Sequence, residues 1–233
     1  MRSYNITSVI HKALGFQAVF KSSFQPNTYR AMSSISTPKP EVDRVLNYWF
    51  ETGRTDKGKW FMGGEKVDTE VREQFGDLVD KARASDLTSW TQEPKGTLAL
   101  IILLDQFSRN LFRGSPLSHT HDSMTLGIAT RAIAQGWDQE VPHLQQQFFY
   151  LPLMHDENLV SQVAALALYD NYVARCLDKD EVENLALART FCKQHLDTIL
   201  RFGRYPSRNK ILGREHTAEE IEFLKENPRG FVS

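Results

Sequence analysis

Two segments of this chain carry the residue types that bind oxyanions. They are residues 105–114 (DQFSRNLFRG) and residues 201–214 (RFGRYPSRNKILGR). Each contains Ser-Arg-Asn close to an aromatic residue, together with a glycine and further arginine. A guanidinium offers a planar fork of donors that suits a carboxylate or a phosphate, and an asparagine amide adds both a donor and an acceptor. We therefore expect the two segments to meet in one anion-binding site.

The candidate ligand-binding side chains come from both segments: Arg109, Asn110, Arg113, Arg204, Arg208, Asn209 and Arg214. Glycine and proline keep residues 201–214 from forming a regular helix. Arginines crowded on such a loop repel one another unless a negative group lies among them. Two interpretations stay open. Either the arginines hold a small anion, or each pairs within the protein, for instance with Asp105, Glu157 or Glu215, and ties helices together.

A histidine flanked by carboxylates follows Pro152, in residues 155–157 (HDE). A histidine beside a carboxylate can act as general base or acid, so His155 and Glu157 are the candidate catalytic residues. The alternative is that Glu157 opens the next helix, where the dipole favours an acid, and that His155 is a core residue.

A metal site at residues 155–157 would need a further ligand, because consecutive side chains point in different directions. The histidines that could supply it are His119, His121, His195 and His216. None of them has the spacing of a zinc motif, so we predict no metal and leave any cofactor open. The chain also lacks the glycine-rich and GxSxG motifs of nucleotide-binding proteins and serine hydrolases. Trp49, Trp60 and Trp90 fit better as core anchors.

Composition places the chain among ordinary globular proteins. Its 233 residues are 41% hydrophobic and 24% charged, enough for one substantial core. The formal net charge of −1 argues against broad nucleic-acid binding. Cys176 and Cys192 lie in apolar patterns, so we expect reduced core residues in an intracellular protein. No apolar run approaches the roughly 18 residues that span a bilayer.

The first forty residues contain no Asp or Glu, although 29 acids in 233 residues predict about five there. They contain scattered Arg and Lys, and an apolar face is formed by Ile6, Val9, Ile10, Ala13 and Leu14. This pattern is typical of a mitochondrial presequence. We therefore expect residues 1–37 to be a matrix-targeting segment or a disordered tail. Initiation at Met32 would give a cytoplasmic form.

Helical periodicity runs through the rest of the chain, residues 38–233, and no segment shows strand alternation. The spacing predicts helices over residues 42–49, 67–82, 98–107, 122–135, 142–149, 158–176, 180–200 and from a capping box at 217–220. The helix over 98–107 is apolar on nearly all sides, so we expect it to be buried. The prediction is an all-α single domain of about eight helices.

Four motifs resemble one protein family: residues 45–50 (VLNYWF), 98–110 (LALIILLDQFSRN), 151–157 (LPLMHDE) and 201–214. Together they make the chain similar to the domain-of-unknown-function family nine-two-four, over roughly residues 42–224. The resemblance implies a tetratricopeptide-like, antiparallel helical array and no particular reaction. The chain departs from the family pattern at Ser207, where His is usual, and at Asp156, where Ser is usual.

Two main functional hypotheses follow. The first is a soluble helical protein with a pocket for a small phosphate- or carboxylate-bearing molecule, in which His155 and Glu157 transfer protons if a reaction occurs. The second is a helical scaffold that binds a peptide or a protein partner whose acidic segments are drawn to the same arginines. A third hypothesis is that single-stranded RNA binds at residues 201–214, which we call the basic loop, and at Tyr205 within it. The sequence leaves the oligomeric state open.

Overall fold

Helices joined by short connections make up the protein. The computed structural model describes residues 40–55, 60, 64–177, 179–228 and 230. The helices are α1 (Pro40–Thr55), α2 (Gly64–Arg83), α3 (residues 94–111), α4 (Asp122–Ala134), α5 (His143–His155), α6 (Leu159–Ala174), α7 (Lys179–Phe202) and α8 (Ala218–Glu226). Within the described ranges there is no strand, which confirms the all-α prediction of about eight helices. These residues all lie in one compact unit, Pro38–Ser233.

Helix α3 runs through the middle of the core. It has a regular start (Pro94–Ile101), a wider π-helical turn (Ile102–Phe107) and a last regular turn (Ser108–Leu111). Every side chain from Leu98 to Phe107 is buried, as the apolar run predicted. The sequence did not predict the π turn, which also buries the polar side chains of Asp105 and Gln106. π turns are frequent at functional sites, and this one brings a carboxylate into the core.

The start of α3 is fixed by a close approach to the preceding 3-10 turn (Thr88–Gln92). Pro94 occupies the first helical turn, where its missing N–H costs nothing. A side chain at Gly96 would come within 2.5 Å of the carbonyl oxygen of Trp90, so only glycine fits there. Trp90 itself is buried, as predicted.

Aromatic side chains fill the space between α1, α3 and α5. Trp49 packs edge-to-face on Phe107 and Phe148, with ring centroids 5.4 and 6.1 Å apart. Trp60 packs on Phe148 in the same way at 5.4 Å, and its Nε1 donates to the carbonyl of Trp49. Such pairs add to the free energy gained by area burial alone. Both tryptophans are buried core anchors, as predicted.

Helix α5 continues further than its sequence predicts. We expected it to end at 149, before Pro152, but it extends to His155 with Pro152 inside. Proline in a helix costs about 3 kcal/mol through the lost hydrogen bond and a steric clash. Here each residue from Phe148 to Met154 is buried, so tertiary packing offsets that cost. The extension brings His155 to the carboxyl end of α5.

The N-cap of the next helix, α6, is Asn158 rather than Glu157. The side chain of Asn158 accepts from the N–H of Val160 at 2.8 Å, which makes it the N-cap. The alternative interpretation, in which Glu157 opens this helix, is therefore wrong. Consecutive helices from α4 to α7 pack against one another. The tetratricopeptide-like arrangement implied by the resemblance stays a prediction.

Both cysteines are free thiols. Cys192 is buried, and burial raises its pKa to about 12, so the thiol stays protonated and unreactive. Cys176 is only half-buried, which corrects the prediction that both are core residues. In the described part of the chain, no helix is long and apolar enough to span a membrane.

The basic loop begins where α7 stops. Gly203 adopts φ +68°, and its N–H donates to the carbonyl of Ile199 at 2.8 Å, an ending that glycine makes without strain. The loop leads to α8 through the predicted capping box. Thr217 accepts from the N–H of Glu220, and Glu220 accepts from the N–H of Thr217. The loop is thus fixed at both ends.

Candidate functional site

The last turn of α3 carries Arg109 to two carboxylates. Its Nη2 donates to Oδ1 of Asp105 at 3.0 Å and to Oδ1 of Asp122 at 2.8 Å. Its Nη1 donates to Nδ1 of His119 at 2.9 Å. Burial opposes the charge of Arg109, but Asp105 and Asp122 outweigh it and raise the pKa of the guanidinium. Arg109 therefore ties the end of α3 to the start of α4.

Asp105 also holds His155, at the end of α5. Nδ1 of His155 lies 2.7 Å from Oδ1 of Asp105. Burial alone would raise the pKa of Asp105. The charge of His155, which is protonated in the acidic range where Asp105 titrates, and the charge of Arg109 outweigh burial and keep that pKa well below the usual range. An ionised carboxylate can only accept a hydrogen bond, so Nδ1 of His155 carries the proton. Asp105, rather than Glu157, is the carboxylate partner of His155.

Arg208 approaches the same cluster from the basic loop. Its Nη1 lies 3.8 Å from Oδ2 of Asp122, which is too far for a hydrogen bond. Its guanidinium lies over the ring of Tyr205, 4.5 Å from the centroid. The side chain is 15% exposed. Burial first, and then the charge of Arg109, lower its pKa, although an arginine stays charged at neutral pH. Within the described residues, this guanidinium makes no hydrogen bond.

Tyr205 connects the basic loop to the end of α5. Its hydroxyl donates to the carbonyl of Met154 at 2.6 Å and accepts from Nε2 of Gln162 at 2.9 Å. Its ring is buried beneath Arg208. The loop and α5 are therefore held together, and the charge of Arg208 is close enough to lower the pKa of His155.

Glu157 has a structural pairing. Arg214 donates to both of its oxygens, at 2.5 and 2.9 Å, and the N–H of Tyr205 donates to Oε1 at 2.8 Å. Burial opposes ionisation, but the hydrogen bonds from Arg214 and Tyr205 outweigh it and lower the pKa of Glu157. Glu157 therefore stays ionised, and its oxygens are engaged in fixing the loop. The interpretation of Arg214 as an internal staple fits this pair.

Arg204 and Asn209 belong to a second internal group around Glu220. Arg204 donates to both oxygens of Glu220, at 2.6 and 2.9 Å, and to the carbonyl of Glu215. Asn209 is fully buried, and its amide donates to Oε2 of Glu220 at 3.1 Å. Nε of Arg214 donates to Oδ1 of Asn209 at 2.9 Å. These contacts fix the loop shape and use most of its polar groups.

Asn110 and Arg113 contact α2 instead. The amide of Asn110 donates to Oδ1 of Asp68 at 2.7 Å, and Arg113 donates to both oxygens of Asp68, at 2.7 and 2.8 Å. Burial opposes ionisation of Asp68, but the hydrogen bonds from Arg113 and Asn110 outweigh it and lower the pKa. The predicted pair of asparagines around one anion therefore does not form, because Asn110 and Asn209 have different partners.

The ring of His195, on α7, lies near the ring of His155. Their ring centroids are 6.5 Å apart. Nδ1 of His195 donates to the carbonyl of Phe191 at 2.7 Å, and burial lowers the pKa of the ring to about 3. Across the described residues, no group of three or more His, Cys, Asp or Glu side chains is arranged to hold a metal ion.

The sequence pointed to Arg109, His155 and Arg208 but not to Asp122, the carboxylate that both arginines approach. Asp122 looks like an ordinary acid in the first turn of a helix. For Asp105, the other carboxylate of the cluster, the sequence did contain a local signal. Asp105 precedes Arg109 by four residues, and an acid at that spacing lies beside a base on a helix.

Fold and site together define a class of protein: an all-α domain with a polar cluster enclosed where α3, α4, α5 and a C-terminal basic loop meet. The chain belongs to the family described as bacterial protein of unknown function (DUF924), whose model matches residues 45–228. It is also similar to the solved structure of a protein of unknown function from Agrobacterium tumefaciens. That likeness has a TM-score of 0.68 and 32% sequence identity, over 79% of this chain and 97% of the other. No curated protein matches the chain.

Proposed function

We propose that the protein binds a small oxyanion, a phosphate or a carboxylate group, at Arg208. The observation that carries this proposal is the contrast among the arginines of the two segments. The others donate hydrogen bonds to carboxylates of the chain: Arg109, Arg113, Arg201, Arg204 and Arg214. Arg208 is less exposed than any of these, yet it makes no hydrogen bond to any described residue and lies 3.8 Å from its nearest carboxylate oxygen.

A guanidinium that is enclosed without a hydrogen-bond acceptor destabilises the folded protein unless a ligand binds it. Removing a charge from water without a hydrogen-bonded partner costs several kcal/mol. Arg109 adds to that cost by repulsion, as the lowered pKa of Arg208 reflects after the effect of burial. An incoming oxyanion would relieve both effects, because it supplies acceptors for the donors of Arg208 and a negative charge that offsets the repulsion from Arg109.

The surroundings of Arg208 suit a small ligand. Tyr205 lies against one face of the Arg208 guanidinium. We therefore expect an oxyanion to approach along the edge of the guanidinium, where its N–H donors point. A guanidinium edge binds two oxygens of one carboxylate or phosphate at once. Asp122 also limits the ligand, since its carboxylate repels a second anion placed directly against it. We therefore expect one oxyanion group, bound on the side of Arg208 away from Asp122.

The test is binding of simple anions at constant ionic strength. Inorganic phosphate, sulfate and malonate are titrated into the protein, and binding is followed by calorimetry and by thermal unfolding against chloride as reference. We expect saturable binding of at least one of them, lost in Arg208→Gln and retained in the matched control Arg113→Gln. Both variants lose one positive charge, so a general electrostatic effect would weaken binding in both. Absence of saturable binding in the parent would contradict the proposal.

The alternative, a scaffold for a protein or peptide partner, has one observation in its favour. Large apolar side chains are exposed on α6 and α7, among them Val160, Val163, Leu187 and Phe191. Contiguous exposed apolar surface marks interaction sites. Recognition of an acidic peptide is less favoured, because the arginines expected to attract it mostly bind carboxylates of the chain itself. The small-ligand proposal accounts for Arg208, and the scaffold alternative does not.

A further inference from the structure

One ring nitrogen of His155 is hydrogen-bonded to the protein, and the other makes no hydrogen bond within the described residues. Nδ1 donates to Asp105, so Nε2 carries the lone pair. Nε2 makes no hydrogen bond to any residue that the structure describes, and the side chain is 17% exposed rather than sealed in the core. A carboxylate that fixes the tautomer of an imidazole and leaves the other nitrogen without a protein partner is the arrangement of a general base.

Charged and titratable groups face His155 from four parts of the fold: Asp105 and Arg109 on α3, Asp122 on α4, His195 on α7 and Arg208 on the basic loop. Burial lowers the pKa of His155, and Arg109 and Arg208 lower it further, which Asp105 only partly offsets. The imidazole is therefore neutral at neutral pH and able to accept a proton.

We propose that Nε2 of His155 is the acid–base atom of this site and exchanges a proton with an oxygen of the oxyanion held by Arg208. The proposal rests on the proposed function, because it needs an anion at Arg208. It names the ligand more closely: a small oxyanion that carries an exchangeable O–H, such as a phosphate monoester or a hydroxy acid.

The proton transfer balances within the site. The lone pair on Nε2 takes the proton of the ligand O–H, and the O–H bonding pair stays on that oxygen as negative charge. Arg208 stabilises the new negative charge, and Asp105 stabilises the imidazolium through the Nδ1–H hydrogen bond. In the reverse direction, the imidazolium returns the proton to the same oxygen. Glu157 has no part in the step, because Arg214 and Tyr205 use its oxygens.

Sulfate is the probe that separates this inference from simple anion binding, because it does not titrate near neutral pH. Its negative charge should raise the pKa of His155, so binding at a slightly acidic pH draws a proton from solution onto Nε2. Calorimetry in two buffers of different ionisation enthalpy measures this uptake. We expect a clear fraction of one proton per sulfate in the parent. In His155→Asn, whose amide can donate to Asp105 as Nδ1 does, sulfate should still bind and the uptake should vanish.

The outcomes separate the two proposals. Sulfate binding without proton uptake would overturn the role of His155 and leave the proposed function standing. Uptake that persists in His155→Asn would also overturn it, because another group would be titrating. No saturable sulfate binding would remove both. Nitrogen-15 NMR of the parent gives the same answer without a variant: Nε2 of His155 should move from the unprotonated to the protonated range on sulfate addition, and an unchanged Nε2 would contradict the inference.

Discussion

Arg109 and Arg208, ninety-nine positions apart in the chain, approach opposite oxygens of one carboxylate, that of Asp122, at 2.8 and 3.8 Å. The two Ser-Arg-Asn segments therefore meet at an anion that belongs to the protein itself. The two arginines are not equivalent there. Arg109 is hydrogen-bonded on several sides, whereas Arg208 makes no hydrogen bond within the described residues. This difference gives the two arginines different expected roles.

Arg109→Gln should destabilise the protein strongly. The substitution leaves Asp105 and Asp122 without their shared cation, and Asp105 is 2% exposed. Removing one partner of a buried ion pair costs on the order of 3–5 kcal/mol. Arg113→Gln is the matched control, because Arg113 pairs with Asp68 but is 59% exposed, so its loss should cost about 1 kcal/mol or less. Urea unfolding of both variants beside the parent measures the difference. Equal losses would show that Arg109 is not a buried staple.

Leu103→Ala tests whether α3 is the centre of the core. Leu103 is 0% exposed, and truncating a buried leucine costs about 2–5 kcal/mol. Leu200→Ala provides the control, since Leu200 lies on α7 with 67% of its surface exposed and should cost less than about 0.5 kcal/mol. Chemical denaturation gives both values. A loss below about 0.5 kcal/mol for Leu103→Ala would contradict the burial of α3.

Glu220 should make the protein acid-sensitive. Hydrogen bonds from Arg204, which outweigh the opposing effect of burial, hold its pKa at about 2 instead of 4.5. A depressed folded-state pKa contributes stability that is complete above the unfolded value and is lost as the pH falls towards the folded value. The free energy of unfolding of the parent should therefore exceed that of Glu220→Gln by a constant amount down to pH 4.5. Below pH 4.5 the difference should shrink towards pH 2. A difference that does not change with pH would contradict this role.

The sequence predicted the helical fold well and the site only partly, for physical reasons. Burial of α3 follows from apolar residues on all its faces, and the capping box at Thr217 is a local hydrogen-bond pattern. The extension of α5 past Pro152 could not be predicted, because packing against distant residues offsets the local cost of proline. The same limit applies to the site. The partner of His155 lies fifty positions away at Asp105, and Asp122 becomes important only when the fold places it beside both arginines.

The targeting prediction for residues 1–37 lies outside the described residues. We propose import into the mitochondrial matrix, because the first forty residues contain no acid. Import into isolated mitochondria followed by N-terminal sequencing tests it, with a chain starting at Met32 as the control that should remain outside. A full-length product that stays outside the organelle and keeps Met1 would contradict the proposal.

The most direct test of the central claim is urea unfolding of Arg208→Gln and the parent, each with and without inorganic phosphate. Without phosphate, the account predicts that the variant is as stable as the parent or slightly more stable, because an unsatisfied charge is removed. With phosphate, the parent should gain stability, by about 2.7 kcal/mol at a concentration 100-fold above Kd, and the variant should gain none. A variant destabilised as strongly as Arg109→Gln, with no response of the parent to phosphate, would make Arg208 a structural residue and contradict the ligand site.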